Sequence, residues 1–146
     1  MGSGLDNDLN GADALVVACL TPEDFEEASE ALLTLKNKSR VFAGKVALDI
    51  LRQRIGDIYY RAHAFDVLYA ADPDVAIEYI ESCANIESIY VLGTMMASVT
   101  EDAGVSEGRD RILKAVALLR QAVSVRPKEE LDSIAIKIAE FEEAYK

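Results

Sequence analysis

At 146 residues, 51% of them apolar, the chain is long enough to bury roughly 70% of its unfolded surface in one domain, which argues against disorder. Its 26 acidic residues outnumber 15 basic ones, for a formal net charge of −11. That sign repels phosphate backbones, so nucleic acid is disfavoured as a partner, and it attracts basic surfaces or simply keeps the chain soluble.

Residues 1–10, rich in Gly, Asp and Asn, are expected to form a disordered N-terminal segment ahead of a single domain over 11–146. Ala12 to Leu20 reads as a short apolar helix. The run from Ala14 to Leu20 is too short to span a bilayer and has no basic flank before it, so neither a membrane span nor a secretion signal is expected. Thr21-Pro22-Glu23-Asp24 offers a capping hydroxyl, a first-turn proline and acids at the positive end of a helix dipole. A helix over 22–36 follows, with Phe25, Ala28, Leu32 and Leu35 inward and Glu23, Glu26, Glu27 and Glu30 in solvent. Ser39 caps the next, over 40–55, whose apolar positions are Val41, Ala47, Leu48, Leu51 and Ile55.

Gly56 ends that helix and Asp57 begins another, to Ala71, with Ile58, Ala62, Phe65 and Tyr69 on one broad apolar face beside Ala64 and Leu68. Asp72-Pro73 makes a sharp corner, since proline has no N–H to lose in a first turn. The helix 73–84 then turns Ala76, Ile77, Ile80 and Cys83 inward, and Asn85 is the expected cap of a helix over 86–100 with Ile89, Leu92, Gly93, Met96 and Val99 on one side. Gly93 marks a close helix crossing. Glu101 to Gly104 forms a loop, Ser106 caps a helix over 106–126, Arg126-Pro127 breaks it, and Leu131, Ile134, Ile138, Phe141 and Tyr145 trace a last helix over 128–145. No stretch alternates apolar and polar residues between turns, so no sheet is expected.

The predicted class is all-α. Pairing 12–20 with 22–36, 40–55 with 57–71, 73–84 with 86–100 and 106–126 with 128–145 suggests a short α-solenoid of about four helix pairs, with a closed helical bundle as the alternative. Cys19 and Cys83, each inside an apolar helical stretch, read as buried thiols of a cytoplasmic protein. One histidine and no Cys/His cluster leave no metal site in prospect, and no motif implies a cofactor.

The pattern Asp57-x-x-x-Arg61-Ala62-x-Ala64-x-x-x-Leu68 resembles the second helix of a HEAT repeat, and Arg40-x-x-Ala43-x-x-x-Ala47-Leu48 is a weaker echo; the likeness covers roughly 40–100. It implies that Arg61 bridges to a neighbouring repeat. Taken whole, an acidic, all-helical chain of this length with HEAT-like pairs resembles the small immunity proteins that bacteria encode beside polymorphic or contact-dependent-inhibition toxins. That resemblance implies stoichiometric binding of a cognate toxin domain, often a basic nuclease, through electrostatic steering and occlusion.

Opposite the buried ridge of 57–71, Tyr59, His63 and Asp66 fall on one stripe with Tyr60 and Val67 beside it. The outward stripe of 86–100 is Glu87, Tyr90, Val91, Thr94, Ser98 and Glu101. In adjacent second helices these stripes form one acidic, aromatic face, so the expected partner-binding residues are Tyr59, Tyr60, His63, Asp66, Glu87, Tyr90, Thr94 and Glu101. A purely structural reading instead packs Tyr59 or Tyr60 against an end helix. The acidic turn Glu23, Asp24, Glu26, Glu27 and Glu30 ranks second, for want of an aromatic anchor. Catalysis is not expected, because the His63/Asp66 pair at i, i+3 has no nucleophile placed near it. The competing function is a non-enzymatic HEAT-like scaffold, which predicts a groove with apolar pockets.

Overall fold

The computed structural model describes residues 12–146; the disorder expected of residues 1–10 lies outside them. The fold is all-α. Among the described residues the helices are α1 (Ala12–Leu20), α2 (Phe25–Lys38), α3 (Arg40–Arg52), α4 (Ile58–Ala71), α5 (Pro73–Cys83), α6 (Ile89–Glu101), α7 (Arg109–Ser124), α8 (Lys128–Asp132) and α9 (Ala135–Ala144). No helix among them is long and apolar enough to cross a membrane. The chain divides at the Asp72–Pro73 bond into two compact units.

In the first unit each helix packs on the next, as the pairing in sequence predicts, and α1 also reaches α3 while α2 reaches α4. Leu32, Leu35, Ile50, Leu51, Phe65 and Leu68 fill the interior, each worth roughly 1.5–3 kcal/mol of burial. The α3–α4 crossing is close: a Cβ built on Gly44 would stand 2.7 Å from that of Ala71. Ser39 caps α3 by accepting from the Phe42 amide, as expected. Three expectations need correction. Phe25, expected inward, is 40% exposed at the start of α2, where its ring stacks on Tyr60. The cap of α2 is Asp24, not Thr21, because the Asp24 carboxylate accepts from the Glu26 and Glu27 amides while the Thr21 hydroxyl turns back to the Val17 carbonyl at the end of α1. Val41, expected inward, is exposed, since Ala43, Val46 and Ile50 set the face of α3.

Helix α4 starts with Asp57 accepting from the Tyr60 amide at 2.8 Å. Gly56 precedes it at φ +82, where a Cβ would meet the Tyr60 ring at 2.6 Å, so this turn needs a residue without a side chain. The HEAT likeness implied a bridge from Arg61 to a neighbouring repeat, but its guanidinium donates to the Gly56 carbonyl of its own turn at 2.8 Å.

In the second unit the packing departs from the predicted pairs. Helix α5 lies chiefly on α7, and α6 packs on both α7 and α9. The reason is in α6 itself, where Val91, Leu92, Gly93, Thr94, Met95, Met96, Ser98 and Val99 are all buried: a helix apolar on nearly every side needs more than one neighbour. Gly93 marks a close approach, as expected, with Ile134 as the neighbour. The caps shift too. Ser88, not Asn85, accepts from the Val91 amide, because residues 84–87 are occupied closing α5. Gly108, not Ser106, precedes α7. The last predicted helix is broken at 133–134, where the Ser133 hydroxyl donates to the Glu130 carbonyl and draws the backbone into a tighter turn. Cys83 is half-buried rather than inward.

Tyr60 bolts the first unit together: its hydroxyl donates to the Cys19 carbonyl at 2.7 Å and its ring stacks on Phe25. Burial, then the neighbouring Cys19, pushes its pKa above the ordinary 10.0. The folded chain therefore keeps a proton that the unfolded chain releases, so this stabilisation is complete below pH 10 and is lost as pH rises above it. Tyr60→Phe should lower the unfolding free energy by about 1–3 kcal/mol near neutrality. In urea titrations at about pH 8 and about pH 11 it should lose less stability between the two than the parent does; equal losses would mean that the hydroxyl is not buried.

Candidate functional site

The expected face draws four residues from each unit. In the first, Tyr59, His63 and Asp66 recur on one side of α4, as predicted: Tyr59 is 62% exposed, Asp66 is exposed and His63 is half-buried. Tyr60 does not join them. It points into the core toward α1, the structural alternative weighed for it, because the Cys19 carbonyl near the end of α1 receives its hydroxyl. Burial, and then the Lys36 ammonium, holds His63 below the ordinary histidine value of 6.5. It therefore enters this stripe as a neutral group.

In the second unit only Glu101 is fully exposed among the four. Glu87 is 1% exposed, and its carboxylate accepts from the Tyr79 hydroxyl and the Ser88 amide. Burial and this carboxylate together raise the Tyr79 pKa above its usual value. The Arg126 guanidinium donates to the Glu87 carbonyl at 2.6 Å and to the Ala84 carbonyl at 2.9 Å, and its other terminal nitrogen reaches Glu130. Glu87 is thus the inner part of a staple that holds the α5–α6 turn to the end of α7. Thr94 is buried, with its hydroxyl on the Tyr90 carbonyl, and Lys137 lies over the Tyr90 ring at 4.8 Å from the centroid. Lys137 thus covers part of the side of α6 that was expected to face outward, and Ile134 lies against Gly93 on the side expected to face inward.

The second-ranked acidic turn fares differently. Glu23, Asp24, Glu26, Glu27 and Glu30 are all exposed, and none forms an ion pair among the described residues. In the second unit, by contrast, Asp74, Glu81, Glu130, Asp132, Glu142 and Glu143 each carry a Lys or Arg partner. The acids of α2 border a cleft of about 240 Å³ against α1, with Ala14, Val17, Ala18 and Ala28 beside Glu23, Asp24 and Glu27. Sequence reasoning passed over Ala14 and Val17 as binding residues. The available signal was a helix, ADALVVACL, with apolar residues on every side.

No group of three or more His, Cys, Asp or Glu side chains that could hold a metal occurs among the described residues. Compared with protein-family models, with curated proteins and with solved structures, the chain finds no match.

Because His63 is the chain's one histidine, its proton titration can be followed by NMR without ambiguity. The midpoint should fall below 6.5, and Lys36→Met should move it partly back up. The sign for stability follows: the unfolded chain takes up this proton first, so the contribution of neutral His63 is present above pH 6.5 and lost as pH falls through the lowered value. A midpoint at or above 6.5 would show an open, solvated imidazole.

Proposed function

We propose that this chain is a non-enzymatic immunity protein that works in the cytoplasm, binding the basic toxin domain of a bacterial contact-dependent or polymorphic toxin system. The observation that carries the reading is the distribution of charge. The carboxylates of the first two turns of α2 have no counter-ion among the described residues, whereas six of the fourteen carboxylates in the second unit are paired with a Lys or Arg. An uncompensated acidic surface speeds encounter with a basic partner and excludes acidic ones. Asp66 and Tyr59 on α4 supply further exposed contacts of the kinds that interfaces use. Inhibition then follows from occlusion: a toxin domain held here has its substrate-binding surface covered.

A second reading, a HEAT-like scaffold for another protein, is favoured by the apolar floor of the α1–α2 cleft. The two differ in what binds and how. For an immunity protein, the adjacent reading frame encodes the toxin domain. Purified together, the two should form an equimolar complex whose association slows as salt rises.

Reversing Glu26→Lys with Glu30→Lys should cut the association rate about tenfold or more at low salt and flatten its salt dependence, with the circular dichroism of the helices unchanged. An unchanged rate would remove α2 from the interface. Capture of a large, charge-neutral assembly in place of a toxin domain would make the scaffold the better reading.

A further inference from the structure

We infer that the cleft between α1 and α2 is a socket for a lysine or arginine side chain carried beside small apolar residues on a segment of a basic protein. The inference deepens the reading above, and for the identity of its natural partner it rests on that reading. Three independent features converge on it. The first is α1: it carries one charge, Asp13, and otherwise only apolar residues, yet only Ala12 and Cys19 are buried. Helices apolar on all sides are ordinarily covered on all sides. Here Ala14 is exposed and Val17 is 62% exposed, so an apolar strip borders the cleft.

The second feature is the charge on the opposite wall. Glu23, Asp24 and Glu27 line the cleft, and Asp24 already uses one oxygen to cap α2. The start of α2 brings about half a positive charge from the helix dipole. Three carboxylates outweigh it, so a cation is favoured and an anion is not. The third is size. At about 240 Å³ the cleft is smaller than the roughly 300–1,000 Å³ typical of small-molecule sites. It suits one side chain and its neighbours. A lysine or arginine meets both walls at once, laying its methylenes along Val17 and Ala18 and its charged head among the carboxylates.

Charge alone would draw a basic chain to any of the acids of α2; a socket holds it against Val17. The difference appears at high salt, because at about 1 M the screening length falls to about 3 Å while apolar burial persists.

The test uses the full chain, isotope-labelled, and two synthetic amphipathic peptides: one of lysine, alanine and leucine, the other with glutamate in place of lysine. The basic peptide should shift the amide resonances of Ala14, Val17, Ala18, Glu27 and Ala28, and the acidic one should not. Val17→Lys should weaken the basic peptide at least tenfold, and Glu27→Gln should weaken it several-fold. Ile136→Lys, on a residue 75% exposed in the other unit, should leave it unchanged. Circular dichroism of each variant checks that the helices remain.

Shifts scattered over the exposed acids, or a Val17→Lys variant that binds as before at high salt, would overturn the socket. The outcome is separable from the fate of the proposed function. A toxin complex that ignores Val17 would leave the immunity reading standing without the socket, and a specific peptide site with no toxin partner would do the reverse.

Discussion

The hydrogen bond from the Tyr60 hydroxyl to the Cys19 carbonyl is the constraint on which the surface of the first unit depends. Helix α1 buries little, and its last carbonyls have no partners of their own within the helix. Thr21 closes one of them, at Val17, and Tyr60 closes another from 41 residues away. The same ring stacks on Phe25 at the start of α2, so α1, α2 and α4 share a single side chain. Because the turn before α4 is held by Gly56 and Asp57, the ring has one place to go. The walls of the α1–α2 cleft are therefore set by a residue that does not line it.

Electrostatics in the two units follow different rules. The ion pairs of the second unit are mostly exposed, and such pairs stabilise by no more than about 1 kcal/mol each. Their larger consequence is to neutralise the local field. The acids of α2 are not neutralised this way, and the dipole they adjoin offsets only a fraction of one charge. The net charge of −11 does not itself say where the carboxylates without a counter-ion lie. Glu87 shows the other extreme: a buried carboxylate held by Tyr79 and the Ser88 amide belongs to the architecture, and removing it would leave those donors unsatisfied.

Helical periodicity was enough to read the all-α class and the positions of most helices, because buried positions on a one-sided helix recur every three to four residues. It also placed Phe65, Leu68 and Leu32 in the core. It could not choose between Tyr59 and Tyr60, which are adjacent on α4 and flank the same apolar ridge; the choice is made by a distant carbonyl that no local pattern announces. Caps were misplaced wherever two side chains competed, as Thr21 and Asp24 do, since a hydroxyl or carboxylate can serve either the helix behind it or the one ahead. Arg126 read only as the residue before a helix-breaking proline, although its guanidinium ties two loop carbonyls to the end of α7.

Most of the stripe expected to face outward from α6 is buried, for a reason that was in plain view. From Ser88 to Thr100 there is no charged residue, and a helix with no charged side is covered on every side, as α6 is. The same rule applied to α1, uncharged after Asp13, predicts a helix covered on every side, and there it does not hold: Ala14 and Val17 stand open beside the acids of α2. Two helices of like composition thus meet opposite fates. In α6 most of the apolar surface is buried within its own unit; in α1, among the described residues, Ala14 and Val17 stay exposed beside carboxylates that form no ion pair. Under the proposed reading, burial of the remaining α1 surface against a basic partner would satisfy both and would put the interface on the helix whose sequence most resembles a core.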